Sequence, residues 1–103
     1  MTLKQQSMLS EKTTKGKVVK FERYPVGYVE DEVSLIAGEY KHFLQRIRLH
    51  SGKAAELKSR YGYRWCYYSL SGDKLPFGQF ALLLSERALR KLLLQARKRG
   101  WQI

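Results

Sequence analysis

Residues 60–70, RYGYRWCYYSL, carry five aromatic rings in eleven positions, together with Arg60 and Arg64. That mixture suits two chemistries. A flat ring stacks on a nucleobase for about 1–3 kcal/mol, and the planar fork of an arginine matches a phosphate. In a strand, Tyr63, Trp65 and Tyr67 share one face at a spacing of about 7 Å. Arg64, Cys66, Tyr68 and Leu70 share the other. If Cys66, Tyr68 and Leu70 face the core, Tyr63, Trp65 and Tyr67 become candidates for base stacking. The reverse assignment buries the larger rings and makes the sheet an ordinary one. Ring area favours this second arrangement, which leaves the arginines as the main ligand contacts.

Twenty Lys and Arg against nine Asp and Glu give a net charge of +11, and the pI is near 10.0. Such an excess favours a polyanionic partner, DNA or RNA, or else an acidic protein surface. The cations fall into blocks. Lys4, Lys12, Lys15, Lys17 and Lys20 lie toward the N-terminus; the four from Lys4 to Lys17 could touch phosphates as an arm, although a simple solvated terminus is the favoured reading. The candidate nucleic-acid contacts are Arg46, Arg48, Lys53, Lys58, Arg60 and Arg64 in the middle, and Arg87, Arg90, Lys91, Arg97 and Lys98 in the last helix. Phosphate neutralisation by such groups makes binding strongly salt-dependent and carries little sequence readout.

Other chemistries find little support. His42 and His50 are eight residues apart with no carboxylate or thiol at a ligand spacing, so no metal is expected. The single Cys66 excludes an internal disulfide framework and reads as a small buried hydrophobe. No G-x-S-x-G and no phosphate-cradling glycine loop occurs. Glu22, Glu30, Asp31, Glu32 and Glu39 suit helix-cap and solvent roles. We therefore expect no enzyme and no cofactor.

Several elements must position these groups. The β-branched and aromatic residues of 17–24 predict a strand, broken by Pro25 and Gly27. The acids 30–32 precede Val33, Ile36, Tyr40, Phe43, Leu44 and Ile47 at spacings of three and four. That pattern predicts a helix ending at His50-Ser51-Gly52. Residues 53–62 are expected to add one or two further helical turns, with Ala54, Leu57 and Tyr61 on one side. Strands follow over 63–69 and 79–84. The last helix begins at the N-cap Ser85 and ends at Gly100, with Ala88, Leu89, Leu92, Leu93 and Ala96 as its apolar stripe.

The expected fold is α+β: a small, mainly antiparallel sheet in the order strand-helix-strand-strand-helix, with the helices packed on one face. Residues 1–16 are expected to be a flexible basic tail and residues 17–103 a single globular domain. With no signal-like or membrane-spanning stretch, the expected setting is cytoplasmic, with no membrane contact. The expected function is that of a small non-enzymatic nucleic-acid-binding protein, regulatory or accessory. The alternative is a protein-interaction module: either a binder of an acidic surface, or a homodimer in which the acids 30–32 meet the basic helix of a second copy.

Overall fold

The structure, a computed structural model, describes residues 3–21, 23–71, 74–79 and 85–103. The elements run α1 (Leu3–Glu11), β1 (Val18–Phe21), β2 (Tyr24–Ala37), β3 (Tyr40–Leu49), α2 (Ser51–Leu57), β4 (Tyr61–Ser69), β5 (Phe77–Gln79) and α3 (Glu86–Lys98). The strands form one antiparallel sheet in chain order, curled into a half-barrel.

The expected element order is thereby corrected. The stretch from Val33 to Ile47 is not a helix but the greater part of a long β2–β3 hairpin. Its spacings of three and four coexist with a period of two. Lys41, Phe43, Gln45 and Ile47 point to one side, and His42, Leu44, Arg46 and Arg48 to the other. Packing on both sides of β3 hides the simple apolar–polar alternation that marks a half-exposed strand. Gly38, a misfit inside a helix, sits at the hairpin tip with φ +61°, between the paired residues Ala37 and Tyr40. A glycine with positive φ at the first position of a two-residue loop matches the right-handed twist of its strands.

Pro25 and Gly27 do not end a strand either, because β2 runs through both. Gly27 packs so closely on β3 that an added Cβ would overlap the Arg48 carbonyl oxygen. The strand expected over 63–69 is present as β4, with slightly wider bounds. The one expected over 79–84 falls mostly on residues 80–84, outside the described residues; the described strand that pairs with β4 on the edge away from β3 is Phe77–Gln79.

Helices α1 and α3 lie on opposite faces of the sheet, not on one. Toward α1 face Phe43, Cys66, Tyr68 and Leu70, which enclose Leu9 of α1. The buried Lys41 donates from Nζ to the carbonyls of Ser10 and Lys12 at 2.9 and 2.8 Å, closing the C-terminal end of α1, where helix carbonyls otherwise lack partners. Toward α3 face Val33, Leu35 and Leu44, which pack against Leu92, Ala96 and Trp101. The third cluster, Val19, Val29 and Ile47, holds β1, β2 and β3 together.

A bulge between Val29 and Asp31 links the two faces. Val29 is paired with Ile47 and Asp31 with Arg46, which point to opposite sides of β3. The inserted residue therefore leaves Val29 on the α1 side and turns Asp31 toward α3.

The last helix forms as its local signals predict. Ser85 Oγ accepts from the Ala88 N–H at 3.1 Å, Glu86 lies in the first turn and Arg97 and Lys98 in the last. The chain then turns at Gly100, whose φ is +86°, and Trp101 folds back with its N–H on the Ala96 carbonyl at 3.1 Å. Leu92 and Ala96 are buried, whereas Leu89 and Leu94 are each about half exposed.

Candidate functional site

The β3–β4 register decides which rings and cations share a surface. Tyr61, Tyr63, Trp65 and Tyr67 stand opposite Arg48, Arg46, Leu44 and His42. All eight project to the α3 side of the sheet. Cys66, Tyr68 and Leu70 fill the core on the other side.

The rings differ in how open they are. Tyr63 is 42% exposed, and Tyr61, Trp65 and Tyr67 are half-buried. Tyr63 leans on Trp101 with ring centroids 5.6 Å apart. Trp65 donates from Nε1 to His42 Nδ1 at 3.3 Å. Burial pushes the pKa of His42 down, so the neutral ring that accepts this bond is the favoured form. Tyr67 meets Tyr40 edge-on at 6.0 Å and lies across β5 at Gly78. A side chain at residue 78 would occupy the space of the Tyr67 ring.

At the other end of the row the arginines and tyrosines interleave. The Arg46 guanidinium lies 4.3 Å from the Tyr61 ring centroid and 5.8 Å from that of Trp101, and it pairs with Glu30 at 3.3 Å. Arg48 sits 5.5 Å from the Tyr61 centroid and its Nη1 is 3.4 Å from the Tyr61 hydroxyl. Arg46, Tyr61, Tyr63, Gly100 and Gln102 line a shallow cavity of about 280 Å³ between β4 and the C-terminus. Lys53, Lys58 and Arg60 belong to α2 and its exit, which join the end of β3 to the start of β4 beside Arg48 and Tyr61.

The candidate cations do not all share this surface. Arg64 stands opposite Gln45 and points to the α1 side, with its Nε donating to Gln45 Oε1 at 2.8 Å. Arg87, Arg90, Lys91, Arg97 and Lys98 are exposed on α3. Among the described residues the ion pairs are Lys15–Asp31, Arg46–Glu30, Lys53–Glu56 and Arg99–Asp31. Most of the cationic excess thus stays uncompensated within the described part of the chain.

The acids at 30–32 cap no helix. Glu30 pairs with Arg46 and Asp31 with Arg99 and Lys15. Glu32 accepts from the Thr13 hydroxyl and, at 3.0 Å, from the Thr14 N–H. Among the described residues no group of His, Cys, Asp and Glu could hold a metal ion, and no helix is long and apolar enough to cross a membrane.

Sequence reasoning missed a second concave surface, on the α1 side, where Lys12, Lys17 and Lys20 come close to Arg64, Tyr68 and Phe77. No local pattern announces it, since its parts come from four separate segments. Comparison with protein-family profiles, with curated proteins and with solved structures finds no match to this chain.

Proposed function

We propose that this chain is a small, non-enzymatic nucleic-acid-binding protein of the cytoplasm, regulatory or accessory in role, that favours single strands. The observation that carries the reading is the aromatic row of β4 beside Arg46 and Arg48, on a chain of charge +11. Rings on a sheet face reach bases only where the bases are unpaired, because the grooves of a duplex expose base edges and not base faces. Tyr63 is the open stacking ring. Arg48, Lys58 and Arg60 lie where phosphates of the same strand would run, and the cations of α3 extend the field that attracts it. Arg46, held by Glu30, serves mainly to orient Tyr61. The homodimer alternative is the weaker reading, because Glu30, Asp31 and Glu32 already have partners within the chain.

The test is fluorescence anisotropy with labelled single-stranded DNA, single-stranded RNA, duplex DNA and heparin, between about 50 and 200 mM salt. The expected result is a steep fall of log K with log salt and tighter binding of single strands than of duplex. Tyr63→Ala should weaken single-strand binding about tenfold, consistent with about 1–3 kcal/mol for one stacked base. The combined change Arg90→Gln, Lys91→Gln and Arg97→Gln should lower affinity for every polyanion while leaving the melting temperature almost unchanged. Equal binding of heparin and single strands, with no effect of Tyr63→Ala, rejects the reading.

A further inference from the structure

The second concave surface is a cleft of about 310 Å³, at the small end of the range for small-molecule sites, roughly 300–1,000 Å³. It opens on the face of the sheet opposite the aromatic row.

Its deeper wall is polar and pre-organised. Gln45 and Thr14 are each 1% exposed. Gln45 donates from Nε2 to Thr14 Oγ1 at 3.0 Å and accepts from Arg64 Nε at 2.8 Å. The Arg64 guanidinium is thereby fixed at its Nε edge, with its central carbon 5.4 Å from the Phe77 ring centroid. Its other edge carries the terminal nitrogens, which suit an anion.

Across the cleft, Lys17 donates from Nζ to the Tyr68 hydroxyl at 3.1 Å, and Lys20 stands at the exposed lip. Lys12 approaches the same Tyr68 ring, 4.3 Å from its centroid. Burial and the neighbouring Lys17 push the Lys12 pKa down, whereas the bond to the Tyr68 hydroxyl pushes that of Lys17 up and keeps it an ammonium. No described carboxylate lines the cleft, and none of the ion pairs among the described residues involves Lys17, Lys20 or Arg64.

The remaining wall is apolar and open. Phe77 is 43% exposed and packs on Tyr68 at 5.3 Å, while Val18 is 59% exposed. Cations on one side and an open ring on the other call for a ligand that is half anion and half flat ring.

We propose that this cleft binds one mononucleotide-sized aromatic phosphate, with its phosphate on Lys17, Lys20 and Arg64 and its ring against Phe77. The ligand is either a free nucleotide or the phosphorylated end of a strand. This site is separate from the β4 surface and does not depend on it: loss of strand binding through Tyr63 leaves the cleft intact.

The experiment is calorimetric titration of the full chain with adenosine 5′-monophosphate, adenosine and inorganic phosphate at one ionic strength. Adenosine monophosphate should bind one-to-one and at least tenfold more tightly than either fragment. Lys20→Gln, at an exposed position that cannot disturb the core, should weaken it at least fivefold. Arg64→Gln should do the same, with circular dichroism melts verifying its fold. Phe77→Ala should abolish the preference for the nucleotide over phosphate, whereas Lys91→Gln on α3 and Tyr63→Ala should change nothing. Absence of saturable binding to the folded chain overturns the proposal. So does phosphate binding as well as the nucleotide, or Lys91→Gln weakening it as much as Lys20→Gln. Two oligonucleotides of one sequence separate the sources. A preference for the 5′-phosphorylated form over the 5′-hydroxyl form, lost in Lys20→Gln, assigns the cleft to strand ends; equal affinity for the two, with adenosine monophosphate still bound, assigns it to free nucleotides.

Discussion

Asp31 on β2 and Arg99 at the end of α3, 68 residues apart, form a two-point ion pair. Arg99 Nε donates to Oδ2 at 2.8 Å and Nη2 to Oδ1 at 2.5 Å. Trp101 Nε1 adds a bond to Oδ2 at 2.9 Å, and Lys15 Nζ lies 3.5 Å from Oδ1. One carboxylate thus ties the sheet, the last helix, the C-terminal turn and the N-terminal segment together. It can do so only because the bulge after Val29 turns Asp31 toward α3.

Replacing Asp31 by Ala should destabilise the fold by about 1–3 kcal/mol, since it strands the indole N–H of the buried Trp101. Arg99→Ala should cost less, about 0.2–1 kcal/mol, because the guanidinium is nearly half exposed. Urea denaturation of both variants followed by tryptophan fluorescence measures the difference. An Asp31→Ala midpoint equal to that of the parent chain would contradict the role given to this carboxylate.

Acid should undo the same contact. The bonds from Arg99 and Trp101 hold the Asp31 carboxyl well below the usual carboxylate range. A depressed folded-state pKa contributes stability that is complete above the unfolded-state value. It is lost as pH falls from there through the folded value. The melting temperature should therefore drop on acidification below about pH 4, and Asp31→Asn should flatten that part of the curve. Parallel acid curves for the two proteins would rule the contribution out.

Gly27→Ala should cost about 3 kcal/mol or more, because the added methyl meets the Arg48 backbone carbonyl and not a side chain that can swing away. Gly38→Ala has open space around it and should cost only the strain of its left-handed φ, about 1 kcal/mol. Thermal melts of the pair should rank them in that order; the reverse ranking would mean that β2 and β3 are not in this register.

Gln45→Leu keeps the volume but removes the acceptor for Arg64 and the donor to Thr14. We expect a loss of about 1–3 kcal/mol. Amide exchange should also quicken at Thr14, whose N–H is held by Glu32 within the same network. Unchanged exchange would show that Glu32 alone anchors this segment.

Cys66 is fully buried, and burial pushes its thiol up to about 11. Alkylation at pH 8 should be slower in the native chain than in the urea-unfolded chain by at least about two orders of magnitude, because few native thiolates form and the core also shields the sulfur. Comparable rates in the two states would place the thiol outside the core.

The sequence by itself determined the features whose causes are local. The strand over 63–69 was legible because its rings alternate without competition from another period, although the first two residues of β4, 61 and 62, read as helical in the sequence. The last helix was legible because Ser85, Glu86, the apolar stripe and Gly100 agree. The charge of +11 is a matter of composition. The stretch around 33–47 was not legible: its apolar residues satisfy both a helical and an extended spacing, and neighbours distant in sequence decide between them. Only the tertiary structure places β2 beside β3, puts α1 and α3 on opposite faces, and uses Glu30, Asp31 and Glu32 as internal anchors instead of helix caps. Only it separates Arg64 from Arg46 and joins it to Lys17 and Phe77. A strand forms from bonds to its partners, whereas a helix forms from bonds within itself, so local sequence specifies the second far more directly than the first.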